Sequence, residues 1–208
     1  MLVSAIILVI FVLAAVLLKP RYEKRISKDT ATLIITLICM ALLLALDRTS
    51  KIEMPVFLEG KGTVDLIPGI IGLHLLPGGN TGAAWGLFSG NTWMLIGMTF
   101  LVIVAAFYCM FVKKFYSFWT HAAVALVTAG GIGNLYDRIV YGSVVDFFEF
   151  QFIEFPIFNV ADCYIVTGAV LLIASVLFAK KDEPLFVKAK AEEKANDPDP
   201  DSETEAAE

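Results

Sequence analysis

Charge is scarce in most of this chain, and metal-binding residues are scarcer. Only 18% of the residues are Asp, Glu, Lys or Arg, against 58% hydrophobic, and the mean hydropathy is +0.75. Those values exclude an ordinary soluble domain and indicate a membrane protein. The chain has 2 histidines and 3 cysteines. His74 and His121 lie far apart, and Cys39, Cys109 and Cys163 fall in or beside apolar runs without CxxC spacing. No metal, redox or other cofactor is implied, and the cysteines read as small core residues. No internal repeat is visible, which weakens any inverted-repeat transporter. No nucleic-acid partner is expected.

The excess of acid is local. Residues 182–208 hold ten acids and three lysines, so the preceding 181 residues carry a net charge of +2. This stretch has few large apolar residues to offset the entropy of ordering, and it reads as a disordered, solubilising tail. The rest is dominated by apolar runs. Five of them, at about 2–18, 31–47, 93–112, 118–135 and 161–179, approach the roughly 20 residues a helix needs to cross a bilayer. The fourth mixes small and polar residues and reads as an inner helix packed by its neighbours. The first lacks a basic stretch before it and a small-x-small site before the basic loop, so it reads as a retained helix and not a cleaved leader.

Lysine and arginine set the expected orientation. Lys19, Arg21, Lys24, Arg25 and Lys28 follow the first run, Lys113 and Lys114 the third, and Lys180 and Lys181 the fifth. All three clusters fall on one side when the helices alternate. That side is cytoplasmic, which puts the acidic tail inside and regions 48–92 and 136–160 outside. Between Gly60 and Gly79, short apolar pieces are split by Pro68, Gly69, Gly72 and Pro77, which predicts short strands and turns in a small sheet on the outer membrane surface. Trp85, Trp93 and the set Phe147, Phe148, Phe150 and Phe152 are expected to include interfacial anchors.

On this topology four separate pieces of sequence deliver polar side chains to one depth. They are LDRTSK (46–51), NTGAAWG (80–86), GGIGNLYDRIVYGSVVDFF (130–148) and FNVAD (158–162). Ionisable groups near a span are costly unless paired or functional. Asp47 and Lys51 are four residues apart and read equally as an ion pair or as substrate-positioning groups. Asn134, Asp137 and Arg138 share one helix face, where the plain reading is a snorkelling arginine with a local acid. Asp162, three residues after Asn159, taken alone reads as half of a capping box. Asp146, flanked by Val145 and Phe147, is an acid invited to desolvate, which suits acid/base work. Glu149 and Glu154 read as solvated.

The four blocks, in order, resemble the lipoprotein signal peptidase family, also called signal peptidase II, over about residues 31–180. The resemblance implies a bacterial inner-membrane aspartic endopeptidase, a monomer among membrane lipids. It would remove the signal peptide of a diacylglyceryl-modified prolipoprotein by cutting before the lipidated Cys. It maps the catalytic acids to Asp146 and Asp162 and leaves Asp47, Lys51, Asn80, Gly82, Ala83, Asn134, Asp137, Arg138 and Asn159 as positioning or supporting groups. Two neighbouring carboxylates sharing one proton offer a general base and a general acid together. The implied organisation is an extra span and basic loop (1–30), a membrane catalytic domain (31–180) and the tail (181–208). The expected fold is an α-helical polytopic membrane protein of about five transmembrane helices, a four-helix core plus the extra N-terminal span, with a small extracytoplasmic β-sheet. Two features depart from the family pattern: the extra first span, and the Leu-Pro-Gly-Gly lead-in to Asn80, which predicts a shortened sheet there. The rival classes are a small channel, which would distribute polar groups through the membrane depth, and a catalytically silent assembly protein.

Overall fold

The computed structural model describes residues 30–82, 87–88, 90–113 and 118–178. The expected first span, the basic loop, Ala83 and the acidic tail lie outside the described residues. In chain order the elements are α1 (Thr30–Leu58), β1 (Val64–Ile67), β2 (Ile71–Leu73), α2 (Thr92–Tyr108) continued by a π-helical turn (Cys109–Lys113), α3 (Phe118–Tyr141), β3 (Phe148–Phe150) and α4 (Val160–Leu177).

Three segments among the described residues are long and apolar enough to cross a membrane, Leu33–Leu58, Thr92–Phe111 and Val160–Leu177. The expectation of five is therefore met at three places. The fourth expected span is a helix, and it runs beyond 135 to Tyr141, but its glycines, threonines and polar end keep it outside that apolar group. Its burial explains why it tolerates them. Ala123, Val124, Ala125, Leu126 and Ala129 are all buried, and α3 packs against α1, α2 and α4, so protein covers this part of the helix, while Tyr136, Ile139, Val140 and Tyr141 near its end are exposed. The other helices expose apolar side chains along their length, Leu101, Val166 and Val170 each by at least 60%, as a lipid-facing surface requires.

A second expectation is corrected at α1. The apolar run ends at 47, but the helix continues to Leu58 and carries Pro55 within its last turn. Asp47, Arg48 and Lys51 do not stop it, because their charges are neutralised by one another and by α3, as described below. The extra length lets Met54 and Leu58 reach the sheet, where they are buried with Leu73 and Phe147.

The sheet is antiparallel in the order β1-β2-β3. Pro68-Gly69 makes the turn between its first two strands, closed by the Ile70 N–H donating to the Ile67 carbonyl at 2.9 Å. Gly69 has φ +73°, which a glycine at the third position of a Pro-Gly turn accepts without steric cost. The register pairs Val64 with Leu73 and Leu73 in turn with Phe148. Beyond Leu73 the pairing becomes irregular: the His74 and Leu76 N–H groups donate to the Phe147 and Asp146 carbonyls, and an isolated bridge joins Asn80 to Val144. The aromatic set divides. Phe147 is buried in the core at 1% exposure and is not an interfacial anchor, whereas Trp93 and Phe152 are exposed.

Candidate active site

The strip from Val144 to Phe148 is stitched on both sides. Val144 exchanges two backbone hydrogen bonds with Asn80, the Asp146 carbonyl accepts from the Leu76 N–H, and Phe147 and Phe148 both donate to the Phe158 carbonyl. This fixes the backbone that carries Asp146, and burial of Phe147 holds it down on α1. At the same level α4 begins. Asn159 is its N-cap and forms a reciprocal capping box with Asp162, a local arrangement that satisfies two otherwise orphaned donors.

The capping box does not compete with a role in a site. Asn159 spends its side-chain carbonyl on the Asp162 N–H at 3.0 Å and turns its amide NH2 onto Asp146 Oδ1 at 2.6 Å, while its own N–H donates to Asp162 Oδ2 at 3.0 Å. One asparagine thus touches both acids. Asn80 completes Asp146: its Oδ1 accepts from the Gly82 N–H at 2.9 Å and its Nδ2 donates to Asp146 Oδ2 at 2.9 Å. Asn134 completes Asp162, with Nδ2 donating to Oδ1 at 2.8 Å. Each of the four carboxylate oxygens therefore accepts an N–H from a neutral amide. Among the described residues, neither Asp146 nor Asp162 has a lysine or arginine at ion-pair distance.

Asp47 and Asp137 stand in the opposite condition. Arg48 bonds both of them, and Lys51 lies 3.1 Å from Asp47 and 2.9 Å from Asp137. Two acids and two cations form a closed, neutral cluster between α1 and α3. Both acids are fully buried, and each has two cations at ion-pair distance to offset the cost of burying its charge. Gly133 makes room for the cluster: a Cβ there would overlap the Asp47 carboxylate, and the Gly133 carbonyl accepts from Arg48 at 3.1 Å. The sequence reading did not single out Arg48. The available signal was that its own block, LDRTSK, holds one acid and two cations, while the second acid waits in the YDR of α3.

Burial is the main force on Asp146. It pushes the carboxyl from the ordinary aspartate range up to about 6, and the charge of Asp162 pushes the same way, against the hydrogen bonds from Asn80 and Asn159 and the charge of Lys51. Arg138 donates one guanidinium nitrogen to the Gly82 carbonyl at 3.1 Å. Its Nε is buried and has no partner among the described residues, and its charge acts on both Asp146 and Asp162. Among the described residues, the site thus holds two neighbouring acids with no ion-pair partner and a guanidinium N–H with no acceptor. Of the residues singled out in the sequence, Asn80, Gly82, Asn134, Arg138, Asp146, Asn159 and Asp162 come together here. Asp47, Lys51 and Asp137 form the layer beneath.

Residues 39–178 match the family model for signal peptidase (SPase) II. The chain is 36% identical to the lipoprotein signal peptidase of Streptococcus pyogenes serotype M6 over 134 residues, covering 64% of this chain and 87% of that protein. It is 40% identical to the lipoprotein signal peptidase of Lactococcus lactis subsp. lactis over 119 residues, covering 57% of this chain and 77% of that one. Two solved structures described as a bacterial membrane enzyme are also similar. One has a TM-score of 0.62 at 25% identity, covering 72% of this chain and 92% of the other. The second has a TM-score of 0.63 at 27% identity, covering 70% and 94%.

Proposed function

The chain belongs to the signal peptidase II family of membrane proteases, and from that premise we propose that it is an aspartic endopeptidase that cuts diacylglyceryl-modified prolipoproteins before the lipidated Cys, with Asp146 and Asp162 as the catalytic pair. The observation that carries the choice of acids is the contrast in counterions. Asp47 and Asp137 are each paired with both Arg48 and Lys51, whereas Asp146 and Asp162 are joined through Asn159 and, among the described residues, receive only neutral donors. Two neighbouring carboxyls with no ion-pair partner among the described residues resist double ionisation, and a proton shared between them is what a base-plus-acid mechanism uses.

In the proposed reaction the ionised member takes a proton from a water, which attacks the scissile carbonyl. The protonated member gives its proton to the carbonyl oxygen. Collapse of the tetrahedral species breaks the C–N bond, a proton passes to the leaving α-amine of the lipidated Cys, and the carboxylate product keeps the water oxygen. No covalent intermediate is required. The unpartnered Nε of Arg138 supplies a donor for a substrate carbonyl, and Asn80, fixed by Gly82, borders the same space. In this reading the site faces the outside of a bacterial cytoplasmic membrane, and the protein acts as a monomer on a lipid-anchored substrate.

The test is turnover of a diacylglyceryl prolipoprotein by the purified protein in detergent or nanodiscs. Asp146→Asn and Asp162→Asn are each expected to lower kcat by at least ~10³-fold, the scale seen when one member of a catalytic unit is removed, with unchanged elution and unfolding behaviour. Full activity in either variant sinks the pair. A channel reading draws no support from these side chains, because the polar groups gather at one level.

A further inference from the structure

We infer that Lys51 is a positioning residue for the reaction, acting through the side-chain amide of Asn134 to hold an N–H donor on Asp162. The inference rests on the reading of Asp162 as a catalytic acid. Lys51 is 4% exposed. An ammonium has three N–H donors, and its Nζ has three neighbours: Asp47 at 3.1 Å, Asp137 at 2.9 Å and Asn134 Oδ1 at 2.7 Å. The two acids hold the ammonium as ion pairs without hydrogen-bond geometry. Its hydrogen bond goes instead to the amide that touches Asp162.

A carboxamide has an acceptor end and a donor end, and rotating it by half a turn exchanges them. With Oδ1 on the ammonium, Nδ2 must face Asp162 Oδ1, as it does at 2.8 Å. The Asn159 amide also reaches Asn134 Oδ1, at 3.2 Å, but that contact is longer and neutral, and charge-assisted bonds are roughly twice as strong. Loss of the ammonium would do more than weaken one bond. Asp47 and Asp137 would be left with Arg48 alone, and their freed oxygens would compete for the Asn134 N–H groups. The amide would then turn its carbonyl toward Asp162, acceptor against acceptor.

The other charged or titratable groups that act on Asp162 do not perform this task. Asp146 is of like charge, Arg138 reaches it only through its field, and the Cys163 thiol follows it on α4 and is exposed. The cluster of Asp47, Arg48, Lys51 and Asp137 is therefore joined to the acid pair by one amide, and the orientation of that amide is what the cluster transmits.

A double-mutant cycle on kcat tests this. Lys51→Met is expected to lower kcat about 10²-fold, the scale of a misplacement near the reacting atoms, with KM changed less than about 3-fold. Asn134→Ala should cost a similar factor. In the Asn134→Ala background Lys51→Met should cost less than about 3-fold more, because the amide it orients is gone. If Lys51→Met does not fold, the same cycle is run with Asp47→Asn in every member, so that Asp47→Asn with Lys51→Met removes one charge of each sign. Multiplying losses, or a loss confined to KM, would overturn the inference. Asp162→Asn is assayed beside them. An active Asp162→Asn brings down the catalytic reading and this inference with it, whereas an inactive one with multiplying losses brings down this inference alone.

Discussion

Asp146 carries the electrostatic cost of the site. Its carboxyl is 2% exposed and its pKa is raised to about 6, first by burial and then by Asp162. A carboxyl whose folded pKa lies above its unfolded value destabilises the fold only when ionised. The penalty is absent below about pH 4, where both states hold the proton, grows as pH rises, and is complete above about pH 6. An asparagine in its place would carry no charge at any pH, although its NH2 would face a donor from Asn80 or Asn159. That mismatch does not depend on pH. The stability of Asp146→Asn relative to the parent is therefore expected to rise by about 1–3 kcal/mol between pH 4 and pH 7, read from thermal unfolding in detergent at both pH values. A flat difference would show that burial does not strain this acid. The same variant should be inactive, so a gain in stability and a loss of turnover belong to one residue.

At the scale of the element, what holds the acids is legible in the sequence to different degrees. The start of α4 was readable, because an Asn followed three residues later by an acid is a local capping signal that depends on nothing distant. The Pro68-Gly69 turn was readable for the same reason. The continuation of α1 to Leu58 was not, since the charges that should have ended it are cancelled by Asp137 of α3, and no local pattern records a partner 89 residues beyond Arg48. The position of Phe147 was also hidden: it stands between Asp146 and three further aromatics, and alternation there does not say which face is covered. Its packing now makes a prediction. Phe147 fills the junction of α1, β2 and the Asp146 strip with Met54, Leu58 and Leu73, so Phe147→Ala is expected to cost about 3–5 kcal/mol. Phe152, 60% exposed, should tolerate the same change within about 0.5 kcal/mol. Denaturation midpoints of the two variants in one detergent would compare them directly. Equal losses would mean that the junction is not packed as described.

For the whole molecule, composition gave the membrane and the four polar blocks gave the family, but the arrangement of charge needed three dimensions. The blocks lie far apart in sequence, and which acids acquire counterions depends on Arg48 and Lys51 of α1 reaching across to α3. Sequence could assign Asp146 and Asp162 only by resemblance, whereas the ion pairs of Asp47 and Asp137 supply a physical reason for the same choice. Orientation rests on a different kind of argument, the distribution of lysine and arginine. If the basic stretch 19–28 is cytoplasmic, the sheet must be outside, because α1 as an odd number of crossings separates them. Ile153 is 49% exposed in the loop after β3, clear of the acid pair, and is a suitable reporter for that side. In a background with Cys39, Cys109 and Cys163 replaced by Ala, a cysteine introduced by Ile153→Cys should react with a membrane-impermeant maleimide in intact cells. One introduced by Ser27→Cys should react only after the membrane is opened. Labelling of both in intact cells, or of neither, would overturn the assigned orientation and with it the proposal that the acid pair meets its lipid-anchored substrate at the outer face.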